Sequence, residues 1–169
     1  MAYTENNKKE TLIIRDARII RKNFSGVISQ YNRDGKREFS VIIDDPEIAQ
    51  RLAEDGWNIK ILKPRDGGDQ PGYCLPVQAR YDNFPPRVVV RRPGRPNQEL
   101  SEATIHHLDS LDIHRVHVNI NPSRWDVNGK VGVKAYLKSM IVDVNEDELM
   151  SMLAEDEYPA EEPGGHLPF

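Results

Sequence analysis

Cysteine and long apolar runs are the scarcest features of this chain, which has 169 residues and one cysteine, Cys74. A single thiol can form neither an intrachain disulfide nor a four-thiolate metal site. A membrane-spanning helix needs roughly 18 or more consecutive apolar residues, and no run approaches that length. The polar first ten residues also lack the apolar segment of a secretory signal peptide. We therefore expect no membrane association and a cytoplasmic location.

Motifs that carry catalysis or bind metals are also missing. The sequence has neither the Gly-Lys-Ser/Thr loop that cradles phosphates nor a Gly-x-Ser-x-Gly nucleophile elbow. Asp44 and Asp45 suggest a cation site at first sight, but Asp45 is explained as a helix cap. The histidines do not match a zinc spacing with the one cysteine; they are His106, His107, His114 and His117. We expect no metal, no cofactor and no enzymatic activity.

Charge is unevenly distributed along the chain. Eight of the 27 acidic residues lie from Asn145 onward, where there is no Lys or Arg. All 23 basic residues therefore lie in residues 1–144 with the other 19 acids, which gives that part a net charge of about +4. A basic body followed by an acidic segment indicates a polyanionic partner, although many proteins simply end in solvated acids.

The pattern of turns and apolar residues predicts one domain. We expect a flexible N-terminus over 1–10, a folded domain over 11–144 and a disordered acidic tail over 145–169. About seven short strands separated by turn signals predict a mainly β barrel with one or two short helices.

The predicted elements are as follows. The strands are Leu12 to Ile20, a weak one around Phe24 to Gln30, Arg37 to Ile43, Asn58 to Lys63, Gly72 to Tyr81, Arg87 to Arg92, Ile113 to Ile120 and Val131 to Val142. One helix begins after Asp45 and stops at Gly56, and a second short one is expected near Ser101 to Leu108. Asp34-Gly35 predicts a hairpin turn, and residues 121–130 are expected to form a loop.

The last predicted strand carries the clearest functional signal. Because side chains alternate across a strand, Val133, Ala135, Leu137 and also Val131 and Ile141 should face the core. Lys134, Tyr136 and Lys138 should then face outward. Cations that follow phosphates, with a ring on which bases stack, are what single-strand binding requires. The alternative is a solvated outer face with an unrelated tyrosine.

Other residues extend the predicted surface. Arg115, His117 and Asn119 alternate with apolar residues on the neighbouring strand, and the expected loop after it contains Arg124, Trp125 and Lys130. Trp125 could instead be a hydrophobic lid. The remaining candidates are Lys22, Tyr31, Lys36, Lys60, Arg80, Tyr81, Phe84, Arg91 and Arg92, whereas Phe39 and Trp57 are expected in the core.

The acidic segment resembles the tail of bacterial single-stranded DNA-binding proteins. It contains Glu161 and Glu162 and finishes in Leu167, Pro168 and Phe169. The resemblance implies that this tip recruits replication and recombination proteins. Here Pro163-Gly164-Gly165-His166 separates the acids from the tip, which is a departure from that pattern.

The body resembles a different family. The stretch Asn121-Pro122-Ser123-Arg124-Trp125-Asp126-Val127-Asn128-Gly129-Lys130-Val131-Gly132-Val133-Lys134-Ala135-Tyr136-Leu137 is similar to phage-type single-stranded DNA-binding proteins. That resemblance, over residues 10–145, implies an OB-like barrel with Lys134 and Tyr136 in the DNA groove. It also implies action in phage DNA replication, recombination or repair, in the host cytoplasm.

Other functions remain open at this point. An RNA-binding OB module would use the same stacking and charge chemistry. A protein-interaction or inhibitor protein could use the acidic tail as a decoy, and a nuclease is a more distant alternative. Residues 93–112 are long enough to form an arm exchanged in a homodimer.

Overall fold

The computed structural model describes residues 2–3, 11–64, 71–82 and 84–145. Within them lie ten strands, one α-helix and one 3-10 helix. The strands are β1 (Ala2–Tyr3), β2 (Leu12–Ala17), β3 (Ile19–Asn23), β4 (Arg37–Ile43), β5 (Lys60–Leu62), β6 (Gly72–Ala79), β7 (Arg87–Arg91), β8 (Gln98–Leu100), β9 (Ile113–Val127) and β10 (Lys130–Val144). Helix α1 spans Pro46–Glu54 and the 3-10 helix spans Ile105–Asp109. The predicted mainly β fold with one or two short helices is confirmed.

The strand order is that of a barrel whose first strand is bent. Hydrogen-bonded neighbours follow the order β1-β2-β9-β10-β6-β4-β3. Only Arg18 separates β2, which pairs with β9, from β3, which pairs with β4. Asp16 has a positive φ of 53° at this bend, and the Arg18 carbonyl accepts the Ile42 N–H at 2.9 Å. With the parallel contact between β6 and β10, this is the order of an OB-like barrel, although no ladder joins β2 to β3 in the described residues.

Apolar side chains at alternate positions along the strands fill the barrel. Phe24 and Phe39 are fully buried and stack with ring centroids 5.1 Å apart. Val116, Val118 and Ile120 of β9 point into the same core, as their alternation with polar residues predicts. The expectation that Phe39 is buried is confirmed, and Trp57 packs against the core while partly exposed.

Helix α1 begins where the sequence predicts. The Asp45 carboxylate accepts the Glu47 N–H at 2.9 Å, and Pro46 occupies the first turn, where a missing N–H costs nothing. Ala49 and Leu52 are buried, so the helix covers the barrel with one face. Gly56 follows with a φ of 99°, a conformation that favours glycine and ends the helix. In the described residues, no helix is both long and apolar enough to cross a membrane.

The last hairpin differs most from the prediction. Residues 121–130 were expected to form a loop, but β9 and β10 remain paired up to Val127 and Lys130, so this segment is a two-stranded arm. The register shifts between Leu137 and Ser139, which leaves Lys138 as an extra residue in a β-bulge.

The bulge and the arm also correct two predicted core positions. The bulge reverses the alternation, so Ile141 is exposed whereas Met140 and Val142 are buried. Val131 is 72% exposed, because the arm extends past the barrel.

Smaller differences concern the connections. Residues 24–30 are not a ladder strand, and Asp34-Gly35 lies within a loop over 24–36 that connects β3 to β4. The segment 93–112 contains the unpredicted strand β8 as well as the short helix. Residues 2–3 pair with β2 inside the segment expected to be flexible. The other residues of 1–10, and 146–169 of the expected tail, lie outside the described residues.

An ion-pair network joins strands at the end of β10. The Asp143 carboxylate accepts hydrogen bonds from Arg91 Nε at 2.6 Å and Nη2 at 2.8 Å, which ties β10 to β7. His117 Nδ1 accepts the Asp16 N–H at 3.2 Å, so its Nε2 carries the proton that points to Asp143 Oδ2, 3.2 Å away. Hydrogen bonding from Arg91 is the main cause that lowers the pKa of Asp143.

The lowered pKa predicts a pH-dependent loss of stability in Asp143→Asn. The interactions that depress the carboxylate pKa stabilise the fold at pH values above the pKa of the unfolded state, about 3.9. This contribution disappears as the pH falls through the pKa of the folded state. Because Arg91 is partly exposed, we expect a deficit of only about 1 kcal/mol at pH 7. It should shrink towards pH 2, as measured by urea unfolding.

Asp44→Asn is the matched control, because Asp44 forms an exposed ion pair with Arg18 at 3.2 Å. It should cost less than about 0.5 kcal/mol at pH 7. An Asp143→Asn deficit that is the same at pH 7 and pH 2 would contradict the assignment.

Candidate nucleic-acid interface

Four residues form an outward-facing platform where β6 meets β10: Arg80, Phe84, Lys134 and Tyr136. Tyr136 pairs with Gln78 of β6 and lies opposite Asn121 of β9. The Arg80 Cζ atom is 5.3 Å and the Lys134 Nζ atom 5.5 Å from the centroid of the Tyr136 ring. The platform thus places two cations against one aromatic ring.

A small open cavity lies at the platform. Its volume is about 190 Å³. It is lined by Arg80, Phe84, Asn121, Ser123, Tyr136 and Leu137. Phe84 is 81% exposed and has a φ of 54°, which is rare for a bulky side chain. An exposed ring held in a strained conformation is typical of a ligand-binding position.

Asp82 forms an ion pair with Arg80 of the platform. Its carboxylate accepts hydrogen bonds from Arg80 Nε at 3.0 Å and Nη2 at 2.6 Å. Asp82 first, and Tyr136 second, raise the pKa of the Arg80 guanidinium, which stays charged at any physiological pH. A phosphate that approaches Arg80 would compete with Asp82 for the same donors.

The hairpin arm extends the face of the sheet on which the platform lies. Trp125 lies opposite Gly132, and Ser123 opposite Lys134, so these side chains share a face with Tyr136. Lys130 belongs to this face by the same alternation. Arg124 lies opposite Val133 and points to the other face, beside a groove of about 440 Å³ at the end of α1. Arg124 and Trp125 thus alternate to opposite faces of the arm, although both residues line this groove.

Trp125 is 43% exposed, and it covers a glycine. A methyl group on Gly132 would lie 2.5 Å from Trp125 Cζ2, so the indole lies directly on the backbone of the opposite strand. Trp125 thus packs over the arm and still offers ring surface to solvent.

Loop 24–36 is joined to the platform through the pairing of β4 with β6. It leads into Arg37, which pairs with Ala79, the residue before Arg80. Tyr31 is 90% exposed in this loop. Lys36 is half-buried, and its N–H and C=O are both held by the Asn32 side chain.

Four other candidates have structural partners or lie elsewhere. Tyr81 packs against the core with Arg37 5.3 Å from its ring centroid, and burial raises the pKa of Tyr81 to about 12. Lys22 Nζ donates to the Leu111 carbonyl at 2.5 Å. Lys60 is exposed on β5, and Lys138 is exposed at the bulge.

A second group of candidates lies far from the platform. Arg91, Arg92 and Arg115, which we call the arginine cluster, line a cavity of about 730 Å³ at the other end of β10. At ~3.3 Å per residue, Asp143 is about 23 Å from Tyr136 along the strand. Arg91 is held by Asp143, and Arg115 lies 3.7 Å from Asp16. The structure therefore does not bring this cluster together with the platform.

Some residues at the interface were missed. Asn121 and Ser123 line the platform cavity because the arm is paired strand, whereas the sequence suggested a loop. Residues 121–124 do not alternate apolar with polar side chains and include a proline, so the sequence offered no signal for a paired strand. In the described residues, no group of three or more His, Cys, Asp or Glu is placed to hold a metal ion. The predicted tail residues lie beyond the part that the structure describes; they are Glu161, Glu162, Leu167, Pro168 and Phe169.

An OB-like barrel with a basic, aromatic outer face defines a nucleic-acid-binding class of protein. The sequence matches the family of phage ssDNA-binding domains over residues 1–162. The chain belongs to this family, and it is a single-stranded DNA-binding protein of the phage type. No curated protein sequence is detectably similar to the chain.

Solved structures show the same fold. The single-stranded DNA-binding protein from bacteriophage Enc34 in complex with ssDNA is 12% identical, with a TM-score of 0.53 over 86% of this chain and 96% of that chain. A C-terminal truncation of the Enc34 protein is 11% identical, with a TM-score of 0.52 over 86% and 95% of the two chains. The likeness at this identity concerns the fold.

The contact between Trp125 and Gly132 predicts the effect of Gly132→Ala. The added methyl group should displace the indole from the arm, so Trp125 should become more exposed. In a Trp57→Phe background, where Trp125 is the remaining tryptophan, we expect a red-shifted emission and stronger acrylamide quenching.

Val131→Ala is the control, since Val131 lies on the opposite face of the arm and should leave the emission unchanged. Unchanged emission in Gly132→Ala as well would contradict the described packing of Trp125.

Proposed function

We propose that this protein coats single-stranded DNA with little sequence preference during phage replication or recombination. The strand would lie over the platform, between loop 24–36 and the hairpin arm. The observation that carries this proposal is Tyr136 with Arg80 and Lys134 against its ring, at the junction of β6 and β10.

The chemistry of the platform suits a single strand. Bases stack on aromatic rings with a gain of about 1–3 kcal/mol each, and rings at Tyr136, Phe84 and Trp125 offer such surfaces. Arg80 and Lys134 can pair with the phosphates that flank a stacked base. A duplex keeps its bases stacked on each other, so it cannot use the rings in this way. The proposed surface therefore favours single strands over duplex DNA.

Little sequence preference is expected for the same reason. Every base has a π-face, and phosphates are identical along a strand. Asn121 and Ser123 are the hydrogen-bonding side chains of the cavity besides the charged and phenolic groups, and they can adapt to several base edges. The protein would act by binding alone, without catalysis.

The acidic segment is proposed to regulate access to DNA and to dock replication or recombination proteins. It starts beside the arginine cluster, because Val144 and Asn145 line that cavity and Glu146, Asp147 and Glu148 follow. Residues 146–169 could span on the order of 80 Å when extended at ~3.4 Å per residue, so they can reach the platform. Acids that occupy the platform cations would compete with phosphates.

Substitutions in the platform test the DNA surface. Tyr136→Ala should weaken binding of a labelled dT oligonucleotide about tenfold, because it removes a stacking surface. Lys134→Gln should weaken binding and also reduce the salt dependence by about 0.7 in the slope of log K against log salt. Fluorescence anisotropy at several salt concentrations measures both effects.

Asp82→Asn is a control with the opposite sign. It removes a negative charge and releases Arg80 for a phosphate, so it should tighten binding. Arg92→Gln, at the arginine cluster, should have little effect. Unchanged affinity in Tyr136→Ala and Lys134→Gln, with a loss in Arg92→Gln, would overturn the proposed surface.

Removal of residues 146–169 tests the acidic segment. The truncated protein should bind the dT oligonucleotide more tightly, with the largest gain at low salt, where the acids compete best. A version with the eight acids replaced by Gln and Asn should behave like the truncation. Equal or weaker binding by both variants would rule out competition by the segment.

A further inference from the structure

We propose that Asp109 is a positioning residue for DNA binding, which holds loop 24–36 in its binding shape without touching DNA itself. The inference rests on the proposed function, in which this loop forms one side of the DNA surface. It assigns a role to the segment around the 3-10 helix, which the platform does not involve.

The Asp109 carboxylate is occupied by the base of the loop. Oδ1 accepts the Phe24 N–H at 2.7 Å. Oδ2 accepts the Ser25 N–H at 2.8 Å and the Ser25 hydroxyl at 2.5 Å. Asp109 lies 84 residues or more along the chain from these donors, so the contact fixes the loop from a distant part of the fold.

The other side of the loop base is held as well. Arg37 Nε donates to the Phe24 carbonyl at 3.1 Å, and the buried Phe24 ring stacks on Phe39. The peptide groups on both sides of Phe24 are thus satisfied, one by Asp109 and one by Arg37. Without Asp109, the Phe24 N–H would lose its partner beside a fully buried side chain.

Hydrogen bonds within the loop connect its fixed base to its exposed end. The Asn23 side chain bonds both polar backbone atoms of Val27, and the Asn32 side chain bonds the carbonyls of Val27 and Lys36. At the neck, a methyl group on Gly26 would lie 2.7 Å from the Gly35 carbonyl oxygen, so the two strands of the loop are in close contact.

The exposed end of the loop is apolar, and exposed apolar side chains that lie close together are typical of a binding surface. Val27, Ile28 and Tyr31 are 60%, 72% and 90% exposed. Unpaired bases are the ligand we assign to them, because the loop leads into Arg37, which pairs with the residue before Arg80 of the platform, and because the same loop contains the cations Arg33 and Lys36. A loop already fixed in shape loses less conformational entropy when it binds. Asp109 would therefore contribute to affinity through the loop.

The sign of the effect separates this role from electrostatics. Removal of a carboxylate near a polyanion site should tighten DNA binding, whereas loss of the loop's shape should weaken it. Asp112→Asn is the matched control, because Asp112 is exposed in the same segment and its side chain has no hydrogen bond or ion pair among the described residues. The Asp112→Asn variant should bind a dT oligonucleotide as tightly as the unsubstituted protein, or more tightly.

Asp109→Ala should bind several-fold more weakly at low salt. A double-mutant cycle then tests the route. Tyr31→Ala alone should weaken binding about tenfold, and less than about threefold in the Asp109→Ala background. Tyr136→Ala should weaken binding by the same factor in both backgrounds. A merely structural role would not couple Asp109 to Tyr31 alone.

Asp109→Asn keeps the shape of the side chain and carries the same test if Asp109→Ala does not fold. The proposal is overturned if both Asp109 variants bind as tightly as Asp112→Asn, or if the effect of Tyr31→Ala is undiminished in their backgrounds. If Tyr136→Ala weakens binding in that case, the inference fails and the proposed DNA surface stands. If Tyr136→Ala has no effect either, the DNA surface itself is wrong.

Discussion

The pairing of β9 with β10 along nearly their whole length is the interaction on which the rest of the structure depends. Its inner side chains, such as Val118 and Ala135, fill the barrel, while its outer side chains form part of the proposed interface. Beyond the barrel the same ladder continues as the arm, so Trp125 and Lys130 have fixed positions relative to Tyr136. A side chain on a rigid strand is aimed more accurately than one on a free loop.

Two further connections place the remaining parts of the interface around this hairpin. β6 joins β10 at Tyr136, which brings Arg80 to the tyrosine ring. β4 joins β6 and leads back to loop 24–36, whose base is fixed by Asp109. The outer face therefore combines residues that are far apart in sequence, with charge supplied by arginine and lysine and stacking surface by the rings. The opposite end of β10 uses its arginines differently, since Arg91 is held by Asp143.

Local sequence patterns predicted the elements that short-range physics determines. Asp45 and Gly56 mark the ends of a short helix through capping and backbone freedom, and alternation in β9 assigns His117 and Asn119 to the outer face. The arm was missed because nothing in residues 121–130 reports the cross-strand partners that keep them extended. The bulge at Lys138 is likewise set by pairing, and it exchanges the faces of Met140 and Ile141.

The candidate site was predicted only in part, for the same reason. Lys134 and Tyr136 share a face by simple alternation, and Phe84 joins them through the strand order. The arginine cluster has side chains that could bind phosphates. Its position at the far end of the hairpin, however, depends on tertiary structure. Asp109 gave no signal at all, because its role depends on donors in a distant loop.

The most direct test of the account is a map of backbone amide NMR shifts on addition of a dT oligonucleotide to the full-length protein. The account predicts that the largest changes lie in residues 24–36, 80–84 and 121–136, with small changes at Arg91, Arg92 and Arg115. Changes concentrated at those arginines, with residues 121–136 unaffected, would contradict it.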